Sequence, residues 1–385
     1  MKSDFNFDKA VERRGTNSVK WDMRDDDVIP MWVADMDFES PREVRDAIVE
    51  RAGHGIYGYT LESVGLYKAV TGWVSRRHNW AIEREWIAFT PGVMPGIRGI
   101  LRILTRPGDN VILQSPVYPP FFNAIRTGGC RVLNNQLKYE HGRYTMDFAD
   151  LEDKAKDPRT KAMILCSPHN PVGRVWTRDE LIMLGNICAE HGVVMISDDI
   201  HSDLIYKEYK HIPLASVCDE FQEKTITCIS PSKTFNLAGL KTAYLVIPDS
   251  DIRSEFRSSI LPNQATIFGS IGAETAYTLG DKWLDALLDY LQGNRRLVSE
   301  YLKEEIPQIE CIEGEGTYLA WLDCRRLDMD NEGLEQFMFD KARLWVNQGY
   351  SFGSGGEGFV RMNIGCRRSI LEEALTRLRS AVEDL

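Results

Sequence analysis

Lys233 stands in the stretch Ser230-Pro-Ser-Lys-Thr-Phe-Asn-Leu-Ala-Gly-Leu-Lys241, directly after the apolar run Thr225-Ile-Thr-Cys-Ile229. Such a run followed by a polar turn reads as a buried strand that delivers the lysine into a crevice. Burial lowers a lysine's pKa and frees its amine to act as a nucleophile. Ser230 and Ser232 flank the lysine and Lys241 follows it, and hydroxyls beside a cation make a seat for a phosphate. A nucleophilic amine next to a phosphate seat is what pyridoxal 5′-phosphate (PLP) requires, because its aldehyde forms a Schiff base with lysine while its phosphate anchors it. The plain alternative is a solvated lysine in a Ser/Thr-rich loop, and the residues at the other strand ends decide between the two.

In open α/β sheets ligands bind at the carboxyl ends of the strands. After Trp86-Ile-Ala-Phe89 comes Thr90-Pro-Gly-Val-Met-Pro-Gly96. There the N–H groups of Gly92, Val93 and Met94 can face an anion where a helix begins, although such turns also serve structure alone. After Asn110-Val-Ile-Leu-Gln114 comes Tyr118, able to stack on an aromatic ring or to fill a core. After Lys161-Ala-Met-Ile-Leu-Cys166 comes Asn170, held extended before a proline with an amide that can donate to a ligand oxygen. A turn asparagine accounts for it equally well.

After Val193-Val-Met-Ile-Ser197 comes Asp198-Asp-Ile-His-Ser-Asp203. Three carboxylates and a histidine are compatible with a metal site, but no helical His-x-x-x-His or cysteine partner supports one, and no metal is expected. A more economical role for Asp198 is to pair with a protonated pyridine nitrogen and make the ring a stronger electron sink, with His201 near the ring's phenolic oxygen. Arg361 lies inside Phe359-Val-Arg-Met-Asn-Ile364. An arginine among apolar residues must be paired, and its planar fork suits a carboxylate, whether a ligand's or a structural acid's.

The elements that position these residues alternate along the chain. Ser40, Pro41 and Glu43 read as a capping box opening a helix with Val44, Ala47, Ile48 and Ala52 on one face, ending at Gly53. A second helix is expected between about 61 and 77, a third up to about Leu104, and another opens at the capping box Thr177/Glu180. The apolar strands between them, including Thr242-Ala-Tyr-Leu-Val-Ile247, argue a mostly parallel α/β sheet. After about residue 275 the pattern changes to a long amphipathic segment, short strands, a Gly-rich loop at 353–358 and a last helix, which reads as a smaller α+β domain.

Length and composition bound the function. A chain of 385 residues allows two or three domains, and 43% apolar with 27% charged residues is ordinary for a soluble globular protein. A net charge of −11 argues against nucleic acid or an anionic membrane as partner. Eight scattered cysteines without a Cys-x-x-Cys pair read as buried thiols in a reducing compartment. Charges near the N-terminus interrupt any signal-peptide core, no apolar run approaches the ~20 residues of a membrane span, and the expected location is the cytoplasm.

Phosphate loop, stacking tyrosine, Asn170, Asp198, Ser-x-Ser-Lys233, Lys241 and a late Arg361, in this order, resemble the fold-type I PLP enzymes, the aspartate aminotransferase superfamily. The resemblance covers almost the whole chain. It implies a large PLP-binding domain (41–275) with a mostly parallel sheet of seven strands flanked by helices, and a small domain (276–385) to which an arm (1–40) contributes. It implies that Lys233 is the Schiff-base lysine and acid/base, and that Asp198 is the pyridinium partner. Asn170 would donate to the phenolic oxygen and Tyr118 would stack on the ring. Gly92, Val93, Met94, Ser230, Ser232 and Lys241 would hold the phosphate, and Arg361 the substrate α-carboxylate. Ala34 would line the carboxylate pocket, and Tyr57 would reach the phosphate of a neighbouring subunit, implying a homodimer with shared sites.

His201 stands where many aminotransferases carry a tyrosine. The pieces Met31-Trp-Val-Ala-Asp-Met-Asp-Phe38, Pro116-Val-Tyr-Pro-Pro-Phe121 and Gly358-Phe-Val-Arg-Met-Asn-Ile-Gly-Cys366 are similar to the cystathionine β-lyase branch, the MalY/PatB-like carbon–sulfur lyases. That branch implies α,β-elimination from a cystathionine-type amino acid to thiol, pyruvate and ammonia. An aminotransferase would use the same residues. A ligand-sensing regulator with an aminotransferase-like half would need a DNA-binding module, and neither a helix-turn-helix pattern nor a basic patch is present.

Overall fold

The computed structural model describes residues 5–24, 27–259 and 265–385. At its centre a seven-stranded sheet runs in the order Ile87–Thr90, Ala243–Val246, Thr225–Ile229, Val194–Asp198, Thr160–Cys166, Asn110–Leu113, Arg131–Asn134. Ala243–Val246 is antiparallel to both neighbours, and the remaining pairs are parallel. Side chains alternate between two faces. Val111, Leu113, Ile164, Cys166 and Ile196 pack with Ile97, Ile100 and Leu101 of the helix Val93–Leu104. Ile112, Met163, Leu165 and Met195 pack with Leu181, Leu184 and Cys188 of the helix Arg178–Glu190. Cover on both faces is why these strands read as unbroken apolar runs. A Cβ on Gly96 would come within 2.5 Å of Leu245 Cδ1, so the glycine lets its helix lie close against the sheet.

A second sheet of four antiparallel strands, in the order Glu310–Cys311, Leu319–Asp323, Phe359–Asn363, Asn347–Gln348, lies toward the C-terminus. Its apolar face, with Ala320, Leu322, Val360 and Met362, packs with leucines of the helices Asp281–Glu305 and Arg368–Glu383. The N-terminal arm contains the short helix Val19–Asp22 and the strand Ile29–Pro30, which pairs in parallel with Leu344–Trp345.

Two expectations about helix starts come out differently. The capping box at Thr177 and Glu180 forms, with both reciprocal hydrogen bonds in place. The one expected at Ser40 and Glu43 does not. The helix is Arg42–Gly53 with Pro41 at its cap and no side-chain bond there. Ser40 Oγ turns instead to Asn236 O at 3.3 Å, drawn away by a long-range partner. All eight cysteines are unpaired thiols, six of them buried, with Cys218 exposed and Cys311 partly so. Among the described residues no helix is long and apolar enough to cross a membrane.

Candidate active site

The carboxyl ends of the central strands open into a cavity of about 430 Å³, a volume in the range of small-molecule sites. Gly92, Val93 and Met94 line it at the start of the helix Val93–Leu104. Tyr118, Asn170, Asp198 and His201 line it from the ends of three strands and the loops after them, Ser230, Ser232, Lys233 and Lys241 from beyond a fourth, and Ala34 and Arg361 from the arm and the second sheet. Every site residue expected from the sequence meets there except Tyr57. That side chain is 57% exposed on the loop after Arg42–Gly53, with its hydroxyl donating to Ala52 O at 2.6 Å.

Lys233 sits on the one-turn helix Pro231–Thr234, immediately after the strand Thr225–Ile229. Ser230 caps that turn by accepting from the Ser232 N–H at 3.1 Å, and its hydroxyl lies 2.7 Å from Thr242 O. The Lys233 Nζ donates to Ala34 O at 2.5 Å. Burial, and then the charge of Arg361, push its pKa down to about 8, so a neutral amine is accessible to it close to neutrality. Lys241 holds a left-handed backbone at φ 56°, unusual for a residue with a side chain, at the cavity wall.

Asp198 ends the strand Val194–Asp198, and its Oδ1 accepts from the Ile200 N–H at 3.1 Å. Burial above all pushes its carboxyl up to about 7. The neighbouring acids face other partners. Asp199 accepts from Ser197 Oγ at 2.5 Å and meets His211 Nε2 at 2.9 Å, while Asp203 faces Trp73, His78 and Thr234. Among the described residues no group of three metal-ligating side chains forms. His201 is pushed down to about 3 by burial and then by the charges of Lys233 and Arg361, so its ring is neutral; its Nδ1 is buried without a partner among the described residues.

Arg361 Nη1 donates to Asn170 Oδ1 at 3.0 Å, and Nη2 donates to Trp32 O at 2.8 Å and Asn347 Oδ1 at 2.5 Å. These partners are all neutral, so no structural acid holds the guanidinium through them. Burial pushes it down to about 10, and its Nε is buried without a partner among the described residues. A ligand carboxylate is the chemical complement of such a fork. With the Asn170 oxygen committed to Arg361, the NH₂ is the end of that amide that can donate to a ligand oxygen.

Some site residues escaped the sequence reading. The backbone carbonyls of residues 32–36 are each held by side chains. Arg361 takes Trp32 O, and Asn363 Nδ2 takes both Val33 O and Asp35 O at 2.6 Å. Tyr318 shares Ala34 O with Lys233 at 3.0 Å, and Asn236 takes Met36 O at 2.8 Å. Asn363 was detectable: it lies two residues beyond Arg361 in one strand, hence on the same face, and is equally polar in an apolar run. Tyr318 and Asn236 carried no comparable signal.

This donor set suits a phosphorylated pyridine aldehyde. The lining includes residues at a helix start, two serines and a lysine, the types that hold a phosphate; a buried carboxyl with a raised pKa suits a cationic ring nitrogen, and Tyr118 supplies a flat face. A model of the family described as aminotransferase class I and II matches residues 26–378. The cystathionine beta-lyase PatB of Bacillus subtilis (strain 168) is 42% identical over 385 residues, spanning 98% of this chain and 100% of its own. Cystalysin from Treponema denticola, whose crystal structure contains a pyridoxal 5′-phosphate cofactor, matches with a TM-score of 0.96 at 38% identity over 99% of both chains. The PLP-bound C-S lyase from Staphylococcus hominis matches with a TM-score of 0.94 at 31% identity, again over 99% of both.

Proposed function

Since the chain belongs to the aminotransferase class I and II family, we propose that it is a PLP-dependent carbon–sulfur β-lyase of the cystathionine β-lyase type. The observation that carries this reading is the meeting of Lys233, Asp198 and Arg361 in one cavity, in a chain 42% identical to a cystathionine β-lyase. When bound, PLP supplies an aldehyde that captures the substrate amine and a ring that takes up the electron pair left at Cα.

Gly92, Val93, Met94, Ser230, Ser232 and Lys241 would hold the phosphate, and Tyr118 would offer its face to the ring. Asp198 would keep the ring nitrogen protonated, which strengthens the ring as an acceptor. Asn170 and the neutral His201 would serve the phenolic oxygen. Arg361 fixes the substrate carboxylate and so presents the Cα–H bond to Lys233. Lys233, its amine near neutrality in ionisation, removes that proton, and a thiolate leaves Cβ. The hydrogen bond to Ala34 O would hold the Lys233 amine whenever it is free of the cofactor. The thiolate takes up a proton to leave as a thiol, and the unsaturated amino acid that is released tautomerises and takes up one water to give pyruvate and ammonia. An aminotransferase, the second reading allowed by the family as a whole, would use the same residues and return the proton to the cofactor instead.

The same proposal extends to assembly. Tyr57 lies on a loop with Ile56, Tyr59 and Leu61, all strongly exposed. Four large apolar side chains exposed on one loop fit a protein contact. We place a second copy of the chain on it, with Tyr57 completing the partner's phosphate site. Residues 41–275 then form the cofactor-binding domain and 276–385, with the arm 1–40, the smaller one. The unpaired thiols fit a reducing cytoplasm.

Incubation with L-cystathionine tests the substrate class. Pyruvate and free homocysteine are expected from the wild type and neither from Lys233→Ala. A wild type that binds PLP yet releases neither product from L-cystathionine or from other β-thio amino acids overturns the lyase assignment.

A further inference from the structure

Lys233 is carried on a helix of only four residues, Pro231–Thr234. Forming a single turn fixes several backbone dihedrals for one hydrogen bond, so such a helix does not hold itself. Its position depends on ties from outside. At its start the tie is the Ser230 cap. At its end the Thr234 Oγ1 donates to Asp203 Oδ2 at 2.7 Å. Thr234 is 1% exposed and Asp203 5%. The other oxygen of Asp203 accepts from Trp73 Nε1 at 3.0 Å and meets His78 Nε2 at 2.9 Å. Trp73 and His78 both belong to the helix Val64–His78.

A buried carboxylate is a poor way to gain stability, because an apolar residue of similar size often does as well. What it supplies is direction. Burial raises the Asp203 pKa, yet the bonds from His78, Thr234 and Trp73 leave it lowered, so the group is an anion with both oxygens engaged. Two of its contacts come from a long helix packed in the core, and the third ends on the residue after Lys233. The Lys233 side chain meanwhile reaches Ala34 O. We infer that Thr234 and Asp203 are positioning residues: Asp203, anchored by Trp73 and His78, fixes Thr234 and thereby the Cα from which the Lys233 amine is aimed. The inference rests on Lys233 being the cofactor-bound lysine.

Thr234→Val tests it, since valine keeps the shape and removes only the hydroxyl. The readouts are kcat and KM together with the induced circular dichroism of the bound cofactor, a signal set by how the protein orients it rather than by turnover. Thr234→Val is expected to lower kcat roughly 10- to 100-fold, the scale of effect seen when a reacting group is misplaced by about 1 Å. KM should stay within about twofold, because Arg361 still binds the carboxylate. The induced signal should change in amplitude, and Thr234→Ser should restore both readouts. If the valine variant folds poorly, Thr234→Ala is read in the same way. Wild-type kcat and induced signal in Thr234→Val or Thr234→Ala, or a serine variant as impaired as valine, overturns the inference. A wild-type chain that takes up no cofactor overturns the functional reading and this inference with it.

Discussion

Burial acts on Lys233 and Asp198 in opposite directions, lowering the lysine's pKa to about 8 and raising the carboxyl's to about 7. Each shift has a consequence for stability. The folded chain holds the Asp198 proton up to about pH 7, whereas the unfolded chain releases it near the ordinary carboxylate value of 3.8. Between those values the folded state binds more protons, so stability falls as pH rises through that window. In the cofactor-free protein Asp198→Asn removes this loss. The variant is expected to be more stable than wild type at pH 8, by something on the order of 2–4 kcal/mol, and to match it near pH 4. Urea unfolding at the two pH values checks this; an equal difference at both would mean that ionisation of Asp198 is not its source. At the covalent centre, borohydride reduction of the holoprotein should leave the cofactor on Lys233 in peptide mapping, and label on another lysine would reassign the site. Residue types with strong chemical preferences were the ones legible in the sequence. Lys233, Asp198 and Arg361 each stand at or within an apolar run where a charge demands a reason. Tyr318 and Asn236 act through backbone carbonyls distant in sequence, and no local pattern carries that information.

The two capping sequences show what decides at the scale of an element. Thr177 and Glu180 satisfy each other within four residues, and Glu180 also receives Arg174 at 2.9 Å, so local and tertiary preferences agree. Ser40 has the same local pattern, but Asn236 O competes for its hydroxyl. Thr177→Ala is therefore expected to cost about 1 kcal/mol, the usual worth of a helix cap. Ser40→Ala should cost less than about 0.5 kcal/mol, as for a surface change without a special role. Thermal unfolding of the two variants compares them directly, and equal losses would contradict the cap assignment. The central strands were legible because cover on both faces leaves unbroken apolar runs. The strand Arg131–Asn134 was not, because it lies at the sheet edge and is partly exposed. The arm around Ala34 was legible only by resemblance, since its backbone is satisfied by side chains from Asn236, Tyr318, Arg361 and Asn363 instead of by a ladder of its own.

At the scale of the whole molecule, two matters go beyond one chain's geometry: assembly and the course of the reaction. If Tyr57 completes a neighbour's site, mixed dimers of Tyr57→Ala and Lys233→Ala subunits contain one site with both residues intact. Such hybrids should regain activity that neither parent shows in full, and no gain in verified hybrids would place the role of Tyr57 within its own chain. The central claim is that this family member eliminates a thiol instead of exchanging an amino group. Elimination returns the cofactor to its aldehyde form at every turnover, whereas amino transfer leaves it as an amine that waits for a 2-oxo acid. The direct measurement is the number of turnovers per active site with L-cystathionine in the absence of any 2-oxo acid, followed by pyruvate, free thiol and the cofactor spectrum. Many turnovers, with equal pyruvate and thiol and an unchanged cofactor spectrum, are the expected result. A single turnover that stalls with the cofactor in its amine form, and resumes when a 2-oxo acid is added, would contradict it.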